Sequence, residues 1–224
     1  TSNVAAAVGP DLTYVKVLQG EEYLYLSKGT LKMLQGKYEV IEELTGSDME
    51  GWHYYGPFDD LPVAAKEAHR VILWEEVGEE DGTGIVHIAP GCGAEDFQLG
   101  KRYNLPVIAP LDEDGVYIEG FNWLTGKNVT EVTDLIVEDL KVKGRFYRLD
   151  DYVHRYPVCW RCSTPLIFRL VDEWYISMDG LRQPMMDVTN NICWIPDFGK
   201  ERELDWLRNM HDWMISKKRY YGLA

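Results

Sequence analysis

A run from Gly82 to Phe97, GTGIVHIAPGCGAEDF, sets glycines at 82, 84, 91 and 93 around an apolar strand signal, with a histidine and two carboxylates beside them. Glycine lets a backbone approach a ligand closely, and the free N–H groups at a helix start attract negative or carbonyl oxygen. His87 lies mid-strand between Val86 and Ile88, while Glu95 and Asp96 fall in the first turn of a helix expected from Ala94. Facing one pocket across this strand, loop and helix turn, His87 and Asp96 would form an imidazole–carboxylate pair. Each has a plainer reading. The histidine could be half-buried and satisfied by its neighbours, and the acids could merely complement a helix dipole. The run has neither a phosphate-loop lysine nor a dinucleotide pattern, which argues against a nucleotide cradle.

The second signal is Cys159 and Cys162 in HRYPVCWRCSTPL. Zinc takes four nitrogen or sulfur ligands, and one C-x-x-C supplies two of them. His154 and Cys193 are candidates for the rest, although neither spacing matches a standard knuckle. A redox role lacks the βαβ context that such motifs need. Half a zinc site fits best, against the plainer reading of two free thiols on a loop. In the tail, Lys217, Lys218 and Arg219 stand beside Tyr220 and Tyr221. That combination suits phosphate or nucleic acid, and equally a solvated helix end.

The elements that must position these groups are mostly strands. Residues 12–18 alternate, QGEE supplies a turn and EYLYLS alternates again, which predicts a β-hairpin. KYEVIEEL from Lys37, HRVILWEEV from His69 and GIVHIAP from Gly84 read as further strands. The Gly-, Pro- and Asp-rich stretch between residues 45 and 62 reads as a loop pinned by Trp52, Tyr54, Tyr55 and Phe58. PVIAPLDEDGVYI predicts a strand with a turn at Asp114-Gly115. From Asn128 to Lys143, apolar Val132, Leu135, Ile136 and Leu140 recur with helical spacing, and Gly144 follows where helix ends prefer glycine. RFYRLDDYVHRYP and TPLIFRLVDEWYI predict strands around the cysteine pair. Beyond a soft boundary near Ser177, PMMDVTNNI and ERELDWLRNMHDWMI read as helices.

The chain has 224 residues and is 46% hydrophobic, enough to bury a core in one large domain or one domain with an appended piece. No apolar stretch is long enough for a membrane span, and the first residues show no secretory signal. Four cysteines are few for a disulfide scaffold, so the expected compartment is cytoplasmic. The start lacks Met and the end stops just past a basic-aromatic run, so both ends read as cut from something longer. The net charge of −14 is uneven: residues 1–100 hold 6 Lys/Arg against 18 Asp/Glu, and residues 101–224 hold 17 against 19. A polyanion is therefore disfavoured on the first half and admissible on the second.

Taken together, the motifs resemble the isoleucyl-tRNA synthetases of class I. GTGIVHIAPGCGAEDF is similar to their editing-site motif. HRYPVCWRCSTPLIFR with DEWYISM is similar to the stretch where the inserted domain returns toward the catalytic body. WLRNMHDWMISKKRYYG resembles the opening of the second half of that body, and NVAAAVGPDLTYVKV resembles the segment after the family's threonine-rich peptide. The resemblance spans essentially the whole chain. It implies an α+β fold: a strand-rich, barrel-like editing domain over residues 1–177 with flanking helices, then a short helical return segment over residues 178–224.

The implied activity is hydrolysis of the ester on tRNA(Ile) mischarged with valine. Asp96 would anchor the α-ammonium and His87 would border the side-chain pocket, within a substrate-binding set of Gly84, His87, Glu95 and Asp96. The implied partners are the 3′ end of aminoacylated tRNA, the valine moiety and the remainder of the synthetase, with no membrane. ATP would serve only the longer enzyme. The threonine-rich peptide belongs just before Thr1, so weak or absent activity is expected of this chain alone. The cysteine pair that would complete Cys159 and Cys162 in a zinc site is also missing. Arg145, Arg148, Arg155, Arg161 and Arg169 are the expected phosphate contacts. Two other readings are a zinc-knuckle interaction module without catalysis and a valyl-type editing domain acting on threonine.

Overall fold

The computed structural model describes residues 1–64, 68–151 and 153–216. The fold is α+β and divides into two compact units, Thr1–Leu170 and Val171–Ala224. The change of character read near Ser177 falls inside the second unit.

The first unit is organised around β1 (Ala5–Val8), a strand the sequence did not advertise. Three alanines and a valine show no alternation, and alanine favours helix in isolation. A central strand covered on both faces has no need of alternation, and Ala5, Ala7 and Val8 are completely buried. Next comes the predicted hairpin, β2 (Thr13–Gln19) with β3 (Glu22–Ser27), in register from Tyr14 opposite Ser27 to Gln19 opposite Glu22. β4 (Glu39–Thr45) pairs with the other edge of β2. Val15 and Val17 of β2 are buried, as the alternation requires.

The expected loop from residue 45 folds further than foreseen, into the short α1 (Gly46–Met49) and β5 (His53–Tyr54). Phe58 is buried as expected, whereas Tyr55 is 90% exposed and pins nothing. β6 (His69–Leu73) and β7 (Ile85–Ile88) complete the main sheet, whose order is β5-β6-β1-β7. β1 runs parallel to β6 and antiparallel to β7, with Ala6 opposite His87. α2 (Ala94–Tyr103) follows the glycine-rich turn and buries Leu99 and Gly100. α3 (Thr133–Val142) packs Ile136 and Leu140 against the core behind buried Val132, but leaves Leu135 exposed.

Three predicted strands differ. PVIAPLDEDGVYI contributes only isolated bridges, Leu111 with Tyr117 and Val116 with Asn128, because Pro106 and Pro110 lack the N–H groups a ladder needs. Its turn is present: Asp112 Oδ1 accepts from the backbone N–H of Asp114 and of Val116 at 2.9 Å each. Among the described residues, RFYRLDDYVHRYP and TPLIFRLVDEWYI give only a bridge from Pro165 to Val158, just past the first of them, and, in the second unit, β8 (Tyr175–Ile176). They alternate but meet no sheet that would satisfy their backbone, and Leu149, Val153 and Phe168 stay exposed.

In the second unit β8 is followed by α4 (Arg182–Asn191), α5 (Phe198–Asn209) and β9 (Trp213–Met214). The helix expected to run through HDWMI stops at Asn209. Trp213 and Met214 pair instead with Ile176 and Tyr175, and Asp212 accepts the Met178 N–H at 3.0 Å. Met178, Leu204 and Leu207 are the buried centre of this unit. Among the described residues no helix is long and apolar enough to cross a membrane.

Candidate functional site

β7 carries His87 toward the turn that opens α2, and Ala89 ties that turn together with both arms of its backbone. Its N–H donates to Asp96 Oδ2 at 2.8 Å, and its carbonyl accepts the Cys92 N–H at 2.8 Å. Asp96 thus reaches back from the first turn of α2 to the strand end two residues beyond His87. Gly91 allows this closure, since a Cβ there would stand 2.1 Å from the Ile108 carbonyl oxygen. His87 and Asp96 are brought together, near enough for the carboxylate's charge to act on the imidazole.

Although solvent reaches His87, desolvation by the surrounding chain lowers its pKa below the usual 6.5. The charge of Asp96 opposes this. The imidazole is therefore neutral at pH 7.

Ser2, Cys92 and Tyr117 join this pair without having been singled out as site residues. The β1–β7 register pairs Ala5 with Ile88, and the Val4 N–H donates to the Ile88 carbonyl at 2.9 Å. The chain before β1 thereby brings Ser2 and Thr1 near Cys92. Thr1 Oγ1 lies 3.3 Å from the Tyr117 hydroxyl. Burial pushes the Cys92 thiol up, and a contact with the Ser2 hydroxyl moderates it. The Ser2 hydroxyl is itself buried without a well-formed hydrogen bond to the described residues. Only Cys92 carried a local signal, from its place inside the glycine-rich run.

The other predicted ligand residues divide. Glu95 is exposed in the same first turn as Asp96. Gly84 stands at the opposite end of β7, roughly 16 Å from Ala89 at strand rise. It adopts φ +69°, a Cβ there would lie 2.3 Å from Ser27 Cβ, and its carbonyl accepts the Tyr14 hydroxyl at 2.7 Å. Gly84 therefore joins the main sheet to the hairpin, and the structure does not bring it to Asp96.

Cys159 and Cys162 share a tight turn in which the Cys159 N–H donates to the Thr164 carbonyl at 2.8 Å. Hydrogen bonds from Thr164 and then from Cys159 lower the Cys162 thiol to about 7. Two adjacent sulfurs, one readily ionised, fit half of a zinc ligand set. Among the described residues no three His, Cys, Asp or Glu side chains gather to hold a metal. Cys193 belongs to the second unit, and His154 packs edge-on against Tyr156.

Four of the five candidate arginines have partners within the protein. Arg145 donates to the Gly56 carbonyl, Arg148 to Asp150 at 2.6 Å, and Arg169 to Glu113 at 3.4 Å. Arg161 lies over the Trp160 ring. The candidate residues Lys217 to Tyr221 lie outside the described residues.

A cleft of about 440 Å³, unforeseen from the sequence, opens at the other end of α2 between His53, Arg70, Tyr103, Asn104, Leu105 and Pro106. β5 and β6 set His53 directly opposite Arg70, and Arg70 Nη2 donates to the Tyr103 carbonyl.

With this geometry in place, the family model described as tRNA synthetases class I (I, L, M and V) matches residues 21–224. The chain belongs to the class I tRNA synthetases. This synthetase chain is 37% identical to an isoleucine–tRNA ligase of Methanothermobacter thermautotrophicus over 99% of its own length and 22% of the relative's. It is 38% identical to isoleucine–tRNA ligase 2 of Pseudomonas fluorescens, over 99% and 21%. Against the isoleucine–tRNA ligase of Pyrococcus furiosus the identity is 40%, over 99% and 22%. It thus spans about a fifth of the length of these relatives. Among solved structures, the crystal structure of GlLeuRS-CP1 superposes with a TM-score of 0.52 at 16% identity. That match covers 67% of this synthetase chain and 80% of the other, and it shows a shared fold.

Proposed function

We propose that this synthetase chain is the proofreading domain of an isoleucyl-tRNA synthetase, hydrolysing the ester that joins valine to tRNA(Ile). One methylene in an apolar pocket is worth only about 1–3 kcal/mol, so a site built for isoleucine admits some valine. A second pocket, too small for isoleucine, removes the error. It needs an anchor for the α-ammonium, a shape filter for the side chain and room for water.

The observation that carries this reading is the Asp96 carboxylate. Asp96 Oδ2 is held by the Ala89 N–H, and no cationic side chain among the described residues forms an ion pair with Asp96. A fixed carboxylate beside a neutral imidazole is a natural receptor for a substrate ammonium. Because His87 is neutral, it neither repels that ammonium nor competes for Asp96, which suits a wall residue rather than a charged catalyst. In the reaction the water oxygen bonds to the ester carbonyl carbon, the bond to the ribose oxygen breaks, and that oxygen takes the proton. Glu95 is a further polar group at the mouth of this site. Gly84 acts on it only through the fold.

The same reading takes the 3′ end of aminoacylated tRNA and the remainder of the synthetase as partners, with ATP used elsewhere in a longer cytoplasmic enzyme. Cys159 and Cys162 would give zinc two sulfur ligands, which orders the turn that carries them.

The test is calorimetric binding of a non-hydrolysable valyl-adenosine analogue against its isoleucyl counterpart. The expected result is at least tenfold preference for valyl, with binding of both analogues weakened in Asp96→Ala. Equal binding of the two, or binding indifferent to Asp96, overturns the assignment. Preference for a threonyl analogue would instead select the valyl-type reading.

A further inference from the structure

We propose that the cleft at the carboxy-terminal end of α2, where Arg70 faces His53 across β5 and β6, is a phosphate subsite for the single strand leading to the 3′ terminus of tRNA. The inference rests on the proofreading reading and adds a second point of contact to it.

Arg70 is the only arginine in the first 100 residues, a stretch with 18 acidic side chains. It nevertheless forms no ion pair with a described carboxylate, and none of the described residues lining its cleft is acidic. Directly opposite it is His53, the other lining residue able to carry positive charge. An anion held between them would take hydrogen bonds from both the guanidinium and the imidazole. The Tyr103 carbonyl fixes one nitrogen of the Arg70 guanidinium, which leaves the other donors for a planar oxyanion such as phosphate.

The surroundings suit a nucleotide better than a bare ion. Asn104 ends α2 at φ 51°, placing an amide side chain at the rim, and the Tyr103 ring is held by its hydroxyl on the Leu73 carbonyl at 2.7 Å. Leu105, nearly buried, and Pro106 supply apolar surface for a sugar or base face. A ring fixed at its polar end is a platform on which any base can stack.

Position selects which nucleotide. Asp96 and Tyr103 are seven residues apart on α2, roughly 10 Å at helical rise. A stacked strand advances about 3.4 Å per nucleotide. With the terminal adenosine at Asp96, the phosphate in the cleft would belong to a nucleotide about three positions upstream.

The experiment titrates the 224-residue chain with an RNA octamer ending in CCA, with the dinucleotide CA, with inorganic phosphate and with the valyl-adenosine analogue. Octamer affinity should fall about tenfold in Arg70→Gln, and the slope of log affinity against log salt should flatten by about 0.7, the value for one phosphate on a single strand. The ratio of octamer to analogue affinity should fall with it, and the octamer should shift the His53 imidazole resonances more than CA or phosphate does. His53→Ala, on an exposed side chain, should lower octamer affinity several-fold and serves if Arg70→Gln does not fold. An octamer that fails to bind, or binds wild type and variant alike, overturns the subsite. So does equal loss of octamer and analogue, which would mean that Arg70 only holds the helix end. Failure of the analogue with the octamer response intact removes the proofreading reading instead.

Discussion

Asp96 Oδ2 accepts the Ala89 backbone N–H at 2.8 Å, so a carboxylate on the first turn of α2 is tied to the strand end that carries His87. This single bond gives Asp96 two separable roles. Asp96→Asn keeps an oxygen acceptor for Ala89 and loses the charge, whereas Asp96→Ala loses both. Asn should therefore hold the melting temperature within about 1 °C of wild type, with Ala lower by about 2–4 °C. Both should weaken the valyl analogue by about 1.5–3 kcal/mol, the value of a charge-assisted contact. In the longer synthetase, both should abolish clearance of valyl-tRNA and spare isoleucine activation. Clearance at the wild-type rate in either variant would remove Asp96 from the site.

His87 gives a pH dependence whose sign follows from its lowered pKa. The folded chain binds its proton less readily than the unfolded chain. Stability from this group is complete above about pH 6.5 and declines as pH falls toward the folded pKa. Protonation also places a cation beside Asp96, so the valyl analogue should bind more weakly over the same interval. Imidazole NMR titration should give a midpoint below 6.5 for His87. A midpoint above that value contradicts the neutral wall.

Gly84 tests the joint between the main sheet and the hairpin. Alanine there must accept φ +69° and a Cβ 2.3 Å from Ser27 Cβ. Gly84→Ala should destabilise the fold by about 2–4 kcal/mol, through strain and forced separation of the sheets. Chemical denaturation would measure it. A loss under about 0.5 kcal/mol would show that the contact yields without cost.

The cysteine pair makes a prediction independent of tRNA. With its thiol lowered to about 7, Cys162 should be alkylated ahead of Cys193 at neutral pH, and its rate should rise with a midpoint near pH 7. Added zinc should protect Cys159 and Cys162 together. Mass spectrometry of the alkylated peptides reads both effects, and equal rates at all three cysteines would show an ordinary thiol.

Much of the local structure was legible because its signals are local. The hairpin at residues 13–27 follows from alternation around one turn, the start of α2 from the glycine-rich run before it, and α3 from helical spacing and the glycine that follows. Alternation misled between residues 145 and 175. Val153 and Phe168 keep a strand's period, yet no neighbouring ladder receives them. The opposite error occurred at Ala5–Val8, where burial on both faces removes the alternation that identifies an edge or a half-exposed strand.

The sequence by itself determined that one glycine-rich run carries His87 and Asp96, because a strand, a turn and a helix start are short-range consequences of residue type. It could not determine that Ser2 and Tyr117 arrive at the same place, or that Gly84 does not. Nor could it show that Arg70 faces His53 over a cleft. Those relationships depend on which strands pair and in what register. Pairing is settled by burying the whole core at once, and no window of neighbouring residues contains that information.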